Sequence, residues 1–378
     1  MKNFRFALLG IVFLFCLLCS CSTDEAAFDE LLVFDELLVM EETVTHDETA
    51  LSEDEMDPGD EVENPDDLPP EDDTETPDEM QMPVLLGYKA VSETEIIFEF
   101  SLPVKVVHLH FDTDHEIEAI DEFEEDSTVK VTLAEGLEPG QRIEVELEVE
   151  DEDGNIINEQ VSFRSKNDRV PDLLINELRT EYSKPRAEFI EFKMKTAGNL
   201  GAMRVFIAGN NKPEVYEFLP VEVREGEYVV LHLRTLDESS VDEYGALDES
   251  GGADSSPTAR DFWIPGSTKI LNKTGMVYVL DQDDVVLDAV MISEAPDSWW
   301  KKEHLAEAAS FLFQQGAWKS ADGKICRPAD AVDTSTVKTA ATRSISRDET
   351  AENTHTAEDW FVTATSGATP GGPNKPKP

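Results

Sequence analysis

Leu173-Leu174-Ile175-Asn176-Glu177-Leu178, followed after a polar turn by Glu188-Phe189-Ile190-Glu191-Phe192, is the stretch that decides how this chain folds. Both segments are short runs of β-favouring apolar residues. Ser183-Lys184-Pro185 between them is turn chemistry, so the pair reads as the first two strands of a sheet. A β-sandwich is expected to begin here. On its N-terminal side, residues 84–168 hold further strand-like runs at Glu95–Phe100, Val104–Leu109, Thr128–Leu133, Ile143–Val149 and Glu159–Phe163, several with clean period-two alternation. Glu135-Gly136, Pro139-Gly140 and Asp153-Gly154-Asn155 supply turns between them. Strands this closely spaced predict a small sandwich of their own.

On the C-terminal side the strand signals continue. Gly226-Glu227-Tyr228-Val229-Val230-Leu231 is a turn and strand, Leu271–Asp281 a strand with its entry turn, and Val286–Val290 its partner. Arg343-Ser344-Ile345-Ser346-Arg347, Asp359-Trp360 and Thr369-Pro370-Gly371-Gly372-Pro373-Asn374 follow in that order. This ordered set, opening on I-N-E-L and E-F-I-E-F, resembles the lamin-tail domain, an immunoglobulin-like β-sandwich, over residues 169–378. It departs from that family's L-x-N-x-G-D hairpin at Met276, where an acid is common. Residues 84–168, with Ser92–Pro103, Gly136–Gly140 and Asp151–Asn155, resemble the bacterial Ig-like modules that serve as spacers in surface proteins. The expected fold class is therefore all-β, two Ig-like sandwiches in tandem.

Two insertions depart from a minimal module. Leu236–Arg260 is acidic and rich in Ser and Gly, which predicts a long mobile loop. Ser298–Gln315 carries Trp299, Trp300, Leu305, Ala306, Ala309, Leu312 and Phe313 at near-helical spacing, which predicts an amphipathic helix lying on the sandwich. Trp299 and Trp300, followed by Lys301 and Lys302, are the candidate partner-contact residues, because aromatic and cationic side chains supply area and directional attraction at interfaces.

The first residues give an address. Lys2 and Arg5 precede an apolar run from Phe6 to Leu18, and Ser20-Cys21 ends it, so residues 1–20 read as a signal peptide too short for a comfortable membrane span. Leu18-Cys19-Ser20-Cys21 resembles a bacterial lipobox, which implies lipidation at Cys21, with Cys19 as the alternative site. Ser22 at the next position implies outer-membrane delivery. Residues 21–83 follow as an acidic tether with a direct hexapeptide repeat at Phe28–Val33 and Phe34–Val39. Cys21 to Val84 holds 25 Asp or Glu and no Lys or Arg, so the tract is expected to be disordered and self-repelling. It contributes about half of the chain's net charge of −51, and a chain so acidic would repel phosphate backbones, so nucleic acid is not an expected partner. Once the signal is removed and the anchor lipidated, Cys326 is left as a lone thiol, expected to be buried as a small hydrophobe.

The usual catalytic constellations are incomplete or missing in this sequence. His108-Leu109-His110-Phe111-Asp112-Thr113-Asp114-His115 resembles the H-x-H-x-D-H of metallo-β-lactamase-like hydrolases, but one extra residue precedes its last Asp-His pair. Ligands must converge within about 2 Å of one ion, so that register matters, and a solvated strand end is expected instead. Asp151–Asn155 lacks the later bidentate acid of a dedicated calcium loop and is ordinary hairpin chemistry. There is no G-x-S-x-G, H-E-x-x-H, phosphate loop or dinucleotide fingerprint, and no cofactor or catalytic residue is assigned. The expectation is a non-enzymatic lipoprotein of the bacterial envelope, anchored in the membrane through its lipid, whose lamin-tail module binds a protein or polysaccharide partner. The alternative is a secreted hydrolase, metal-dependent or metal-free, with a site at the sandwich insertions.

Overall fold

The computed structural model of the chain describes residues 82–377, with 114, 124, 210 and 211 excepted. The signal peptide, Cys21, the hexapeptide repeat and all but the last two residues of the expected tether lie outside the described residues. The described residues form one compact unit from Met82 onward, and it is predominantly β.

Strands β1 (Leu85–Ala90), β2 (Glu95–Phe100), β3 (Val104–Phe111), β4 (Ile117–Phe123), β5 (Thr128–Leu133), β6 (Arg142–Asp151) and β7 (Ile156–Arg164) build the first sandwich. One sheet has the order β1-β2-β5-β4 and the other β3-β6-β7. Alternation drives this layer. In β6, Ile143, Val145, Leu147 and Val149 are buried, while the residues between them face outward, and the same rule puts Ile96, Phe98, Val129 and Val131 into the shared core. The β6–β7 turn closes on Asp151, whose carboxylate accepts from the backbone N of Asp153 (3.0 Å) and Asn155 (2.8 Å), with Gly154 at φ +82°.

The second sandwich is larger. Strands β8 (Leu173–Arg179), β9 (Phe189–Met194), β10 (Gly198–Asn199), β11 (Arg204–Ala208), β12 (Pro213–Glu217), β13 (Glu222–Val223), β14 (Tyr228–His232), β15 (Ala259–Trp263), β16 (Gly275–Leu280), β17 (Val286–Ser293), β18 (Val332–Asp333), β19 (Ile345–Arg347) and β20 (Trp360–Val362) contribute to it. A six-stranded sheet, β15-β14-β9-β8-β19-β20, faces a five-stranded one, β12-β11-β16-β17-β18. Between them lie Ile175, Ile190, Phe192, Val229 and Leu231 from the first and Val205, Ile207, Val277, Val279 and Val290 from the second, all fully or almost fully buried. The turn between β8 and β9 closes where Ser183 and Arg186 exchange backbone hydrogen bonds.

The outer faces of this sandwich are covered too. Helix α1 (Glu303–Gln314) lays Leu305, Ala308, Ala309 and Leu312 on the five-stranded sheet, and its Phe311 meets Tyr278, which stacks on Phe206. The insertion after β14 does not run free as expected. Glu243 is fully buried, accepting from the N–H groups of Ser250 (2.9 Å) and Asp261 (2.8 Å), and Asp254 pairs with the buried Arg179. Its last residues enter β15, which adds to β14 in parallel. The acids that suggested mobility are the groups that pin the loop to the sheet.

A bulge at Asn176 makes Glu177 and Glu191 direct cross-strand partners on the outer face of the six-stranded sheet. Two like charges so placed repel, and both are buried. Burial pushes the Glu177 carboxyl up, and burial, then the charge of Glu177, pushes Glu191 well up. The C-terminal tail satisfies them: Thr369 N donates to Glu177 (2.9 Å), Gly371 N to Glu191 (2.6 Å), and the Asn374 side chain donates to the carbonyls of Asn176 (2.9 Å) and Arg347 (3.0 Å).

The two sandwiches are joined by residues 165–169, and the joint is tight. The Asn167 side chain donates to the carbonyls of Asn199 (2.9 Å) and Gly201 (2.8 Å), and its backbone N donates to Gln282 (2.6 Å). Gly140 sits at φ +71° against Gly201 so closely that a Cβ built on it would lie 2.2 Å from the Gly201 carbonyl carbon. Only glycine fits there.

Candidate functional site

Trp299 and Trp300 precede α1 in an irregular segment, because the helix begins at Glu303 and not at Ser298 as expected. The two indoles part company, one turned to the core and the other to solvent. Trp300 is half-buried against the core of the second sandwich, and its Nε1 donates to the Cys326 carbonyl at 3.0 Å. Trp299 is 66% exposed, the largest value for any large apolar side chain among the described residues.

The segment that follows α1 returns beneath the tryptophans. Trp318 is buried there, with its Nε1 donating to Asp330 O at 2.9 Å, and Cys326 is buried with its thiol 3.7 Å from Trp318 O. Burial pushes that thiol up to about 12, so at neutral pH it is protonated and unreactive. Arg327, next in the chain, places its guanidinium 4.7 Å from the Trp299 ring centroid. Asp322 pairs with Arg327 at 3.5 Å. With Lys301 and Lys302 exposed beside it, the result is an aromatic face flanked by three cations on a firm base. Such an edge can bind by stacking and by hydrogen bonds to oxyanions or hydroxyls. Arg327 escaped the sequence reading because the loop that brings it under Trp299 has no periodic signal; Lys301 and Lys302 were legible because they are neighbours in the chain.

The remaining sequence candidates fall elsewhere. His108 and His110 lie on the solvent face of β3, their rings stacked with centroids 6.5 Å apart, opposite Glu148 and Glu146 of β6. Asp114 lies outside the described residues. Among the described residues, no three His, Cys, Asp or Glu side chains are arranged to hold a metal ion. A buried His232–Asp261 pair, 2.7 Å apart and stacked on Trp263 at 3.7 Å, also went unread. Both partners are fully buried, so the pair ties β14 to β15 under the insertion.

Comparison with known proteins adds a relative and a family. The chain is 32% identical over 171 residues to a protein of Treponema pallidum (strain Nichols) that bears the description "Uncharacterized protein"; the match covers 42% of each chain, so this chain spans less than half of that relative. Among solved structures, matches include the N-terminal part of the bacterial S-layer protein SbsC, at 13% identity and a TM-score of 0.23, covering 56% of this chain and 44% of that one. Domains 1–6 of the same surface-layer protein match at 12% identity and a TM-score of 0.22, covering 57% and 41%. The model of the family described as "TP_1001_2nd: protein second domain" matches residues 171–362, just over half of the chain and the span that contains the second sandwich, α1 and Trp299. The chain belongs to that TP_1001_2nd family.

Proposed function

We propose that this chain is a lipoprotein of the bacterial envelope, anchored through Cys21 and delivered to the outer membrane, that performs no catalysis and holds a protein or polysaccharide partner at the Trp299 edge of a lamin-tail-like module. The observation that carries this reading is Trp299 itself: an indole left 66% exposed, with Arg327 over its ring, on a base fixed by Trp300 and Trp318. Trp and Arg dominate binding energy wherever interfaces have been dissected. A rigid backing keeps the ordering entropy of such a contact low. The signal and lipobox pattern at Leu18–Cys21 supports the anchor, and the ordered strand motifs of residues 173–374 support the module.

Two measurements test this. The Cys21→Ala chain, freed of its acyl groups, is incubated with sedimented envelope fragments, and retention is compared with and without Trp299→Ala. Loss of a hot-spot tryptophan should weaken retention by roughly 30-fold, equivalent to about 2 kcal/mol, with the melting temperature unchanged. Equal retention would remove the edge from the proposal. In a fatty-acid labelling experiment Cys21→Ala should take up no probe, and label that persists would refute the anchor.

A further inference from the structure

Cations are scarce in this chain, 31 against 82 acids, and the first sandwich is poorer still, with six Lys or Arg in residues 82–167. Three of those six, Lys89, Arg164 and Lys166, line one cleft beside the joint, where Arg204 of β11 completes the set. The cleft has a volume of about 560 Å³. Small-molecule sites run from roughly 300 to 1,000 Å³. Its lining acids are Glu217 and Asp283, which leaves the wall with a net charge of +2 in a protein of −51. On one side Tyr88 and Phe163 form a ring pair with centroids 5.8 Å apart, and Tyr88 is 39% exposed.

The four cations are not equivalent. Arg164 pairs with Glu217 and Lys166 with Asp283 at 2.5 Å, each bridging the two sandwiches, so these two are fastenings of the joint. Arg204 donates through Nη2 to the Asp281 carbonyl at 2.9 Å and to Asp284, a rim acid whose side chain is 68% exposed, at 2.6 Å, while its Nε and Nη1 make no hydrogen bond among the described residues. Lys89 makes no ion pair among the described residues. Lys89 and the free donors of Arg204 are therefore available beside an aromatic wall, in a cleft next to the joint.

We propose that this cleft binds an acidic sugar, a ring bearing a carboxylate or phosphate, whose oxyanion is held by Lys89 and Arg204 and whose ring lies on Tyr88 and Phe163. Arg offers an oxyanion a two-pronged donor, Lys a mobile point charge, and the aromatic faces take the ring's C–H surface. The site is separate from the Trp299 edge and stands without it.

Calorimetric titration of the full chain tests it with four probes: galacturonate, glucose 6-phosphate, neutral glucose and inorganic phosphate. Both acidic sugars should bind with Kd of about 1 mM or tighter, and glucose and inorganic phosphate at least about 10-fold more weakly. Lys89→Ala, at an exposed position, and Arg204→Gln should each lower affinity for the acidic sugars by about 10-fold without moving the melting temperature, while Trp299→Ala should leave it unchanged. Absence of binding by both acidic sugars up to about 20 mM would overturn the assignment. So would glucose or inorganic phosphate binding as well as the acidic sugars, or undiminished affinity in the stably folded Lys89→Ala chain.

Discussion

In the first sandwich β6 buries every second residue, whereas in the second β14 and β15 bury all five of theirs, and the difference comes from what lies behind each sheet. The first sandwich turns its outer faces to water, so acids such as Glu146 and Glu150 stay solvated over a simple core at little desolvation cost. The second covers its outer faces with an insertion, a helix and a C-terminal tail. Charged residues on those faces lose water and must find partners. Arg179 with Asp254, Arg234 with Glu188 and Arg260 with Glu227 are such pairs, and Arg347 with Asp288 bridges the two sheets from within, all nearly or fully buried. Two sandwiches can thus share an architecture and differ in where the polar groups are asked to live.

The sharpest way to break this contrast is to remove one buried partner. Arg347 donates to Asp288 at 2.6 Å and to Ile175 O at 2.7 Å, and its guanidinium lies 4.4 Å from the Trp360 ring centroid. Arg347→Ala should cost about 3–5 kcal/mol in denaturant unfolding, because it strands a buried carboxylate. Lys130→Ala, which opens the half-exposed Lys130–Glu95 pair of the first sandwich, should leave the unfolding midpoint nearly where it is.

Next in size is the tail. Deleting residues 364–378 removes the donors from Thr369, Gly371 and Asn374 to the Glu177–Glu191 pair and its surroundings. A loss of about 2–4 kcal/mol is expected, since hydrogen bonds to charged groups are each worth about 1.5–3 kcal/mol. Hydrogen exchange should rise in β8 and β9 and stay unchanged in β5 and β6; protection lost equally in both sandwiches would show that the tail acts through the whole unit.

A smaller effect distinguishes the sandwiches by pH. Because Glu191 is shifted upward in the folded state, that state binds more protons than the unfolded chain between the ordinary glutamate pKa and the raised one. Stability contributed by this group is therefore present in mild acid and lost as pH rises through that window. Glu191→Gln should flatten the slope of stability against pH by at most about 1.4 kcal/mol per pH unit, the limit for one proton. An unchanged slope would assign the pH dependence to the surface acids. Smallest of all is Trp299→Ala, expected to shift stability by no more than about 0.5 kcal/mol, in keeping with an exposed side chain.

Alternation made the first sandwich readable. β2, β3, β5, β6 and β7 lie where the apolar period of two placed them, while β4 escaped because Ile117-Glu118-Ala119-Ile120-Asp121-Glu122-Phe123 keeps most of its residues in solvent and so has no buried face to signal. In the second sandwich the strand motifs of residues 173–194 and 271–290 were legible and the polar lining was not. Glu177 and Glu191 look like solvent-facing residues of ordinary strands until the tail, nearly 200 residues away, is placed over them. Trp299 and Trp300 fit a helical period in the sequence, but the helix starts only at Glu303 and the irregular segment before it turns one indole to the core and the other to solvent. The joint was beyond reach for a related reason: Pro139-Gly140 announces a turn, and nothing in the chain says that Gly201 will lie against it.

That glycine contact also bears on how freely such a chain could be rebuilt by recombination. A tandem domain array is interchangeable when each bead touches its neighbour only through a linker. Here a replacement for the first sandwich would have to bring a turn as narrow as Pro139-Gly140 to the same spot, together with cations placed to meet Glu217 and Asp283. The first sandwich is thus no exchangeable part, and the two halves are constrained to change together.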